Sequence, residues 1–269
     1  MRWFIILLIP TLLYSQNNID DEKLKYSIEQ ICQGKYPYFH KAHSFYFEHK
    51  IDSAYLYCSK ASISSKKQEI NDYLNFIYGV CAYSKKFDLI AQNKFSDISF
   101  NFPYYYLLNY NLGGISLENE EFQKALSFYN KAIASQQIKS NAKLKIIYHN
   151  IGICHLHLKQ FNKAKGFLKK EIEVSKQDKD TIGVIYAKLD FGNIYYEQYK
   201  DDIAIGFFEE AYNLSTLISD FNVRQVTSEN LAIVEKNRGN FKNSMTYFEK
   251  SMMWKDSIWN RDKISLLME

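Results

Sequence analysis

Four segments of the chain share one arrangement of small and large apolar positions. The segments cover residues 111–133, 150–172, 190–212 and 230–252. A small residue early in each segment recurs at intervals of 39, 40 and 40 residues, at Gly113, Gly152, Gly192 and Ala232. A second small position holds Ala125, Ala164, Ala204 and Ser244, and a large apolar position four residues later holds Tyr129, Leu168, Phe208 and Phe248. Because four residues make about one helical turn, the pattern predicts a helix hairpin in each segment, with the small residues at the crossing.

The first hundred residues carry a weaker form of the same pattern. Gly79 stands 34 residues before Gly113, and the small positions of a still earlier segment are matched by Ala42, Ala54 and Ala61. The tail after Met252 has a helical pattern without the repeat, and a stack of hairpins needs such a cover at its end. The predicted organisation is an amino-terminal helix with two degenerate hairpins in 16–104, four regular hairpins in 105–252 and a capping helix in 253–269.

The composition supports a folded, helical chain. Of its 269 residues, only 3 are Pro and 10 are Gly, whereas 22 are Tyr and 19 are Phe. Few helix breakers and many large apolar side chains favour long helices packed on one another. The charges nearly balance, at a net +4, which argues against a disordered chain and against a nucleic-acid-binding protein.

The repeated segments resemble the tetratricopeptide repeat (TPR). The Asn-Leu-Gly pattern that begins the first helix in that family is carried here by "NLGG", "NIGI", "FGNI" and "NLAI". The second helix of the repeat is matched by "KALSFYNKAI" and "IAIGFFEEAY". The resemblance implies an all-α fold, a right-handed superhelical solenoid of stacked antiparallel hairpins, with repeats of about 40 residues instead of the usual 34 or so.

The same resemblance implies a concave groove, lined by first-helix residues, that binds a peptide or a helix of a partner. Carried over onto this chain, the groove positions are Tyr73, Phe76, Tyr83, Tyr110, His149, His157, Tyr186, Asn193 and Tyr196. The positions that pack the repeats together are Gly79, Gly113, Gly152, Gly192, Ala232, Ala125, Ala164 and Ala204. The Lys/Asn/Arg clamp with which chaperone-binding members hold a terminal carboxylate is missing from the groove columns. An aromatic groove without that clamp favours an apolar segment over an acidic carboxyl terminus.

We therefore expect a non-catalytic protein–protein interaction scaffold that binds a protein or peptide and no nucleic acid. One alternative rests on the tail, because "YFEKSMMWKDSIWNRDKISLLME" resembles the last repeat and exit helix of bacterial sensor proteins. The chain would then be the input region of a histidine kinase or a transcription regulator. A second alternative is a surface protein that stacks glycans on its aromatic groove.

The amino terminus predicts a signal peptide in residues 1–15. Arg2 precedes an apolar run from Trp3 to Tyr14, which is too short for a transmembrane helix because such a helix needs roughly 20 residues. Cleavage is expected near Ser15, with export to the periplasm or the cell exterior and no stable membrane span afterwards. The alternative is a buried first helix of the fold.

Cys154, His155 and His157 lie close together in the sequence and raise the question of a metal site. Successive residues on a helix diverge by roughly 100°, so these three side chains cannot converge on one ion. Cys154 also falls in an apolar column, which predicts a core residue. The histidine pair of "HKAH" (40–43) lacks the intervening Glu of zinc hydrolases, and no nucleotide or hydrolase motif occurs. We predict no enzyme activity, no metal and no cofactor.

The four cysteines have no redox or zinc spacing. Cys32, Cys58, Cys81 and Cys154 are irregularly separated, without a C-x-x-C pair. Buried thiols that act as small apolar residues are one interpretation. A structural disulfide such as Cys58–Cys81 is the other, because export permits it.

Overall fold

The computed structural model describes residues 19–32, 36–62, 68–135, 138 and 141–268. Their regular secondary structure is entirely α-helical, which confirms the all-α class. The helices are α1 (Ile19–Cys32), α2 (Pro37–Phe47), α3 (Ile51–Ser62), α4 (Gln68–Ser84), α5 (Asp88–Ser96), α6 (Tyr105–Glu118), α7 (Phe122–Ala134), α8 (Asn141–His157), α9 (Phe161–Gln177), α10 (Thr181–Glu197), α11 (Asp201–Ser215), α12 (Phe221–Asn237) and α13 (Phe241–Met268). None of these described helices combines the length and the apolar character that a membrane crossing requires. The predicted signal peptide lies outside the described residues.

After α1, consecutive helices pair into hairpins, from α2–α3 to α12–α13. The residues form two compact units, whose boundary in the sequence lies between Ile147 and Tyr148, within α8. We call them the amino-terminal unit and the carboxy-terminal unit. The core of the amino-terminal unit is rich in aromatic side chains such as Phe39, Phe76 and Phe95. The main core of the carboxy-terminal unit is more aliphatic and contains buried Ile, Leu and Val side chains of α10–α12.

One residue in the left-handed conformation lies in the turn of each hairpin. These residues are His49, Lys86, Glu120, Lys159, Tyr199 and Gly239, with φ between 56° and 82°. The next backbone N–H donates to the carbonyl five positions back, as from Glu121 to Ser116 at 2.8 Å. This bond belongs to the Schellman motif, which satisfies the last carbonyls of the first helix. Because the same turn recurs, each second helix begins in the same relation to its first helix.

Small residues lie where the two helices of a hairpin cross. A Cβ added to Gly113 would lie 2.6 Å from Cε1 of Tyr129, and one added to Gly152 would lie 2.8 Å from Cδ2 of Leu168. Carbon atoms avoid such short separations, so a larger residue would push the helices apart. Gly79 and Gly192 face rings of the second helix in the same way. The alanines of these positions are fully buried: Ala125, Ala164, Ala204 and Ala232.

The last helix runs without interruption from Phe241 to Met268. The segment predicted as a capping helix, 253–269, is helical as far as Met268 and continues the second helix of the last hairpin. Ser244 donates its hydroxyl to the carbonyl of Ala232 in α12 at 2.8 Å. Further along, the ring of Trp254 stacks on Phe221, with centroids 5.7 Å apart. The extension thus continues to pack on α12.

The four cysteines are buried free thiols. Cys154 is fully buried, which confirms its assignment to the core, and burial raises its pKa to about 12. Burial, and then the neighbouring Cys81 thiol, raise the pKa of Cys58 well above its ordinary value. These thiols therefore act as small apolar groups in the core.

Candidate functional site

The residues predicted to line the groove differ in how much surface they expose. Two are half-buried, Tyr110 and Tyr186, and His157 is exposed. The other six are buried: Tyr73, Phe76, Tyr83, His149, Asn193 and Tyr196. A buried side chain presents almost no surface to a partner, so three residues of the predicted set have accessible surface.

The buried groove residues of the amino-terminal unit belong to its aromatic core. The rings of Tyr73 and Phe76 lie 5.1 Å and 5.6 Å from the ring of Phe102. The hydroxyl of Tyr83 donates to Oε1 of Glu118 at 3.0 Å. Burial and the negative charge of Glu118 both raise the pKa of Tyr83 above its ordinary value. These contacts join neighbouring hairpins of the unit.

The two half-buried tyrosines lie in different surroundings. Nζ of Lys143 lies 5.0 Å from the ring centroid of Tyr110, a cation–π distance. Tyr186 lies in α10, where burial, followed by the charges of Asp220 and Asp190, raises its pKa to about 12. Tyr186 is therefore neutral and can donate a hydrogen bond.

A buried polar cluster lies in the carboxy-terminal unit and consists of His149, Glu171 and Asp190. Each side chain comes from a different helix, α8, α9 or α10, and each is at least nine-tenths buried. Nδ1 of His149 lies 3.3 Å from Oε2 of Glu171, in hydrogen-bond geometry. The same nitrogen lies 3.2 Å from Oδ2 of Asp190, at ion-pair distance but without hydrogen-bond geometry. The cluster thus brings two carboxylates to one imidazole nitrogen.

Electrostatics in the buried polar cluster favour a charged histidine. Burial alone would lower the pKa of His149, but the charges of Glu171 and Asp190 outweigh burial and raise it well above its ordinary value. Burial raises the pKa of Glu171, and the charge of His149 offsets this rise only in part. Asn193 donates from Nδ2 to Oδ1 of Asp190 at 3.5 Å, while its own buried Oδ1 has no hydrogen-bond partner.

A second feature of the same unit is a pocket of about 580 Å³ formed by residues of α9, α10 and α11. Its cationic residues are Lys165, Lys169 and Lys188, and its rings are Phe191, Tyr195 and Phe207. We call these six residues the basic aromatic pocket. Lys169 is exposed, and Lys165, Lys188, Tyr195 and Phe207 are half-buried. The pocket therefore presents positive charge and apolar rings on one accessible surface.

The rings of the basic aromatic pocket form a stack. Phe207 lies parallel to both Phe191 and Tyr195, with centroids 5.3 Å and 5.4 Å away. Nζ of Lys165 lies 5.5 Å from the ring centroid of Tyr195. Lys188 forms an ion pair with Glu210 of α11. The rings pack against one another, so their apolar surface is formed before a ligand binds, and the lysine ammonium groups lie beside it.

Neither feature follows from the sequence pattern. The buried polar cluster combines residues from three helices, and the buried His149 had been assigned to the groove surface. The basic aromatic pocket involves second-helix positions, which the groove of the family does not use. One signal was present, because Lys165 and Lys169 stand four residues apart and so share a helix face.

The structure is similar to several solved helical-repeat structures. BtubC from P. vanneervenii matches with a TM-score of 0.59 and 14% identity over 88% of this chain and 92% of that chain. Aspartyl phosphate phosphatase F from Bacillus subtilis matches with a TM-score of 0.68 and 14% identity over 91% of this chain and 66% of that chain. NprR in complex with its cognate peptide NprX matches with a TM-score of 0.57 and 14% identity over 87% of this chain and 65% of that chain.

These similarities confirm a TPR-like helical-repeat fold, and at such low identity they establish the fold alone. No protein-family model matches the sequence, and no curated protein sequence matches it.

Proposed function

We propose that this chain is a non-catalytic interaction scaffold that binds an acidic segment of a partner protein in the basic aromatic pocket. The observation that carries the proposal is the arrangement of three lysines around a stack of three rings on α9, α10 and α11. With the predicted signal peptide, the proposed setting is the periplasm or the cell exterior.

The two kinds of side chain in the pocket would make different contributions to binding. Half-buried aromatic rings offer a large contact area at low entropic cost and are frequent anchors of protein interfaces. Lysine ammonium groups at the rim would pair with Asp or Glu of the partner, which raises the association rate and selects against basic segments. The preferred ligand therefore combines an apolar or aromatic anchor with neighbouring carboxylates.

We also propose that the accessible residues of the groove implied by the TPR resemblance contact a partner. In the carboxy-terminal unit its accessible members are His157 and Tyr186, and Tyr186 is a hydrogen-bond donor. They would contact a partner separately from the basic aromatic pocket. NprR, a solved structure with a similar fold, was crystallised with a peptide, so this kind of fold can hold a peptide ligand.

The test is a screen of a peptide library on the purified full-length chain. We expect enriched peptides to combine Asp or Glu with Phe, Trp or Leu, and to bind more weakly at high salt because rim charges are screened. The double variant Lys165→Glu/Lys169→Glu should weaken the best peptide by at least about tenfold, since it reverses the charge of two rim residues. Fluorescence anisotropy of the labelled peptide measures this loss.

The matched control is Lys163→Glu/Lys176→Glu. Both lysines are exposed on the same helix, outside the pocket, and their replacement changes the net charge by the same amount. An equal loss of affinity in the control would show that the net charge of the protein causes the effect. It would refute the assignment of the basic aromatic pocket as the binding site. Enrichment of basic peptides, or retention on a polysaccharide column without any peptide binding, would refute the proposed function.

A further inference from the structure

The buried polar cluster has a composition that apolar packing does not explain. His149, Glu171 and Asp190 are each at least nine-tenths buried and approach one another at the junction of α8, α9 and α10. One ligand atom from each residue can be chosen so that all three lie within 4.8 Å of one another. Nitrogen and carboxylate oxygen atoms in this number are the protein ligands of many divalent-metal sites.

The two distances from His149 to the carboxylates fit a small metal ion. Zn²⁺ binds imidazole nitrogen and carboxylate oxygen at roughly 2.0–2.2 Å, so two ligands of a tetrahedral site are separated by about 3.3 Å. Nδ1 of His149 lies 3.3 Å from the Glu171 oxygen and 3.2 Å from the Asp190 oxygen. A metal ion would replace the proton that this nitrogen otherwise donates to Glu171.

The charge of the cluster also favours a cation. Two carboxylates and one imidazole carry an excess of negative charge even when the histidine is protonated, and burial makes such an excess costly. A bound divalent ion would neutralise this charge more completely than one proton does.

Unpaired polar atoms point to the same place. Oδ2 of Asp190 is buried and lacks a hydrogen bond of good geometry, with Nδ1 of His149 3.2 Å away at ion-pair distance. Asn193, which is 3% exposed and contacts Asp190 through Nδ2, leaves its Oδ1 unpaired. Buried polar atoms in native proteins are nearly always satisfied, and a cation between the three side chains would satisfy Oδ2 of Asp190.

We propose that His149, Glu171 and Asp190 bind a divalent cation of the Zn²⁺ type. One imidazole and two carboxylates suit zinc and its transition-metal neighbours better than Ca²⁺ or Mg²⁺, which prefer ligand sets made of oxygen alone. The ion would join three consecutive helices of two neighbouring hairpins. Its role would be structural, because the three side chains are buried, and a water molecule would complete the tetrahedral set.

The first test needs no variant. The purified full-length chain is stripped with EDTA, dialysed and titrated with Zn²⁺ against a chromophoric chelator. We expect one Zn²⁺ per chain, binding that weakens as the pH falls because protons compete for the same ligands, and a higher melting temperature with the metal. Co²⁺ in place of Zn²⁺ should give the intense visible absorption of a tetrahedral site.

The second test assigns the ligands. His149→Gln, Glu171→Gln and Asp190→Asn keep the size of each side chain and should each lower Zn²⁺ affinity by at least about 100-fold. The matched controls His157→Gln and Glu173→Gln alter exposed residues of the same helices and should leave affinity unchanged. Circular dichroism checks that each variant is folded.

Three results would overturn the proposal. The first is the absence of Zn²⁺ binding to the wild-type chain at micromolar concentrations. The second is binding that persists in Asp190→Asn and His149→Gln, which would assign the ion to other residues. The third is a Co²⁺ complex with only the weak absorption of an octahedral ion, which would exclude the tetrahedral site even if a variant failed to fold.

Discussion

His43 in the amino-terminal unit and His149 in the carboxy-terminal unit are both buried, but their surroundings differ. His43 in α2 is 3% exposed and His149 in α8 is 4% exposed. The ring of His43 lies against Phe39 and Phe47, and neither of its nitrogens has a hydrogen-bond partner. Nδ1 of His149, by contrast, lies between two carboxylates.

The pKa values of the two histidines move in opposite directions. Burial, and then the nearby positive charges of His40 and Lys25, lower the pKa of His43 to about 4. Burial acts in the same sense on His149, but the charges of Glu171 and Asp190 outweigh it. Burial therefore disfavours the charged form of both histidines, and the nearby charged side chains determine whether the histidine is protonated. In the metal-free protein His43 is a neutral aromatic core residue and His149 is a charged one.

The largest expected effect comes from replacing each histidine by leucine. His149→Leu leaves two carboxylates buried without their cation, so we expect it to lower the free energy of unfolding by about 3–5 kcal/mol. His43→Leu removes two unsatisfied nitrogens from an apolar site, so it should change stability by less than about 1 kcal/mol or raise it. Urea unfolding near neutral pH with EDTA present measures both.

A double variant sharpens this result. His149→Leu/Glu171→Leu removes one of the stranded carboxylates as well, so its loss of stability should be smaller than the sum of the two single losses. Equal destabilisation by His43→Leu and His149→Leu would contradict the proposed difference in charge between the two histidines. It would show that only the change in side-chain volume determines the loss of stability.

The second prediction addresses what the two units have in common. Gly113→Ala in the amino-terminal unit and Gly192→Ala in the carboxy-terminal unit each place a methyl group against a buried ring, of Tyr129 and Phe208 respectively. We expect each to lower the unfolding free energy by about 2 kcal/mol, because the crossing helices must separate. Thermal unfolding followed by circular dichroism measures the change.

Gly206→Ala provides the control for these crossings. A Cβ at Gly206, in the interior of α11, would meet no atom within 4 Å. Alanine should therefore stabilise this helix by about 0.5–1 kcal/mol through the lower entropy of the unfolded chain. Destabilisation at Gly206 comparable to that at Gly192 would show that helix crossing is not the cause.

The success of the sequence in predicting the hairpins has a local physical cause. The geometry of two adjacent helices requires a small residue where they cross. It also requires a large apolar residue four positions after the small residue of the second helix. Gly113 and Tyr129 illustrate this, because both lie within a single hairpin and their contact recurs in the later repeats. Patterns that are local and repeated can be read from one sequence.

The surface of the protein was harder to predict because burial depends on neighbours that are distant in sequence. Tyr83 was expected to line a groove, but its hydroxyl reaches Glu118, 35 residues away. The buried polar cluster required the same kind of information, since Glu171 lies 22 residues from His149. No local pattern distinguishes a Glu that pairs with a buried His from one on a solvated face.

An effect no larger than that of the glycine crossings is the pH dependence that His43 gives to the amino-terminal unit. Because its pKa is about 4 in the folded chain and near 6.5 when unfolded, the unfolded chain takes up the proton first as the pH falls. The contribution of His43 to stability is thus complete above the pKa of the unfolded chain and is lost as the pH falls towards the pKa of the folded chain. Between about pH 7 and about pH 5 we expect a loss of about 2 kcal/mol.

The measurement compares urea unfolding of the wild type and His43→Leu across this pH range, because the difference between them cancels all other titrating groups. Stability of the wild type should fall relative to the variant as the pH decreases, since protonation adds a charge beside His40 and Lys25. His149→Leu should show the opposite trend relative to the wild type, because the raised pKa of His149 makes its contribution complete at low pH. Parallel pH profiles for the wild type and both variants would show that the two histidines do not differ in charge.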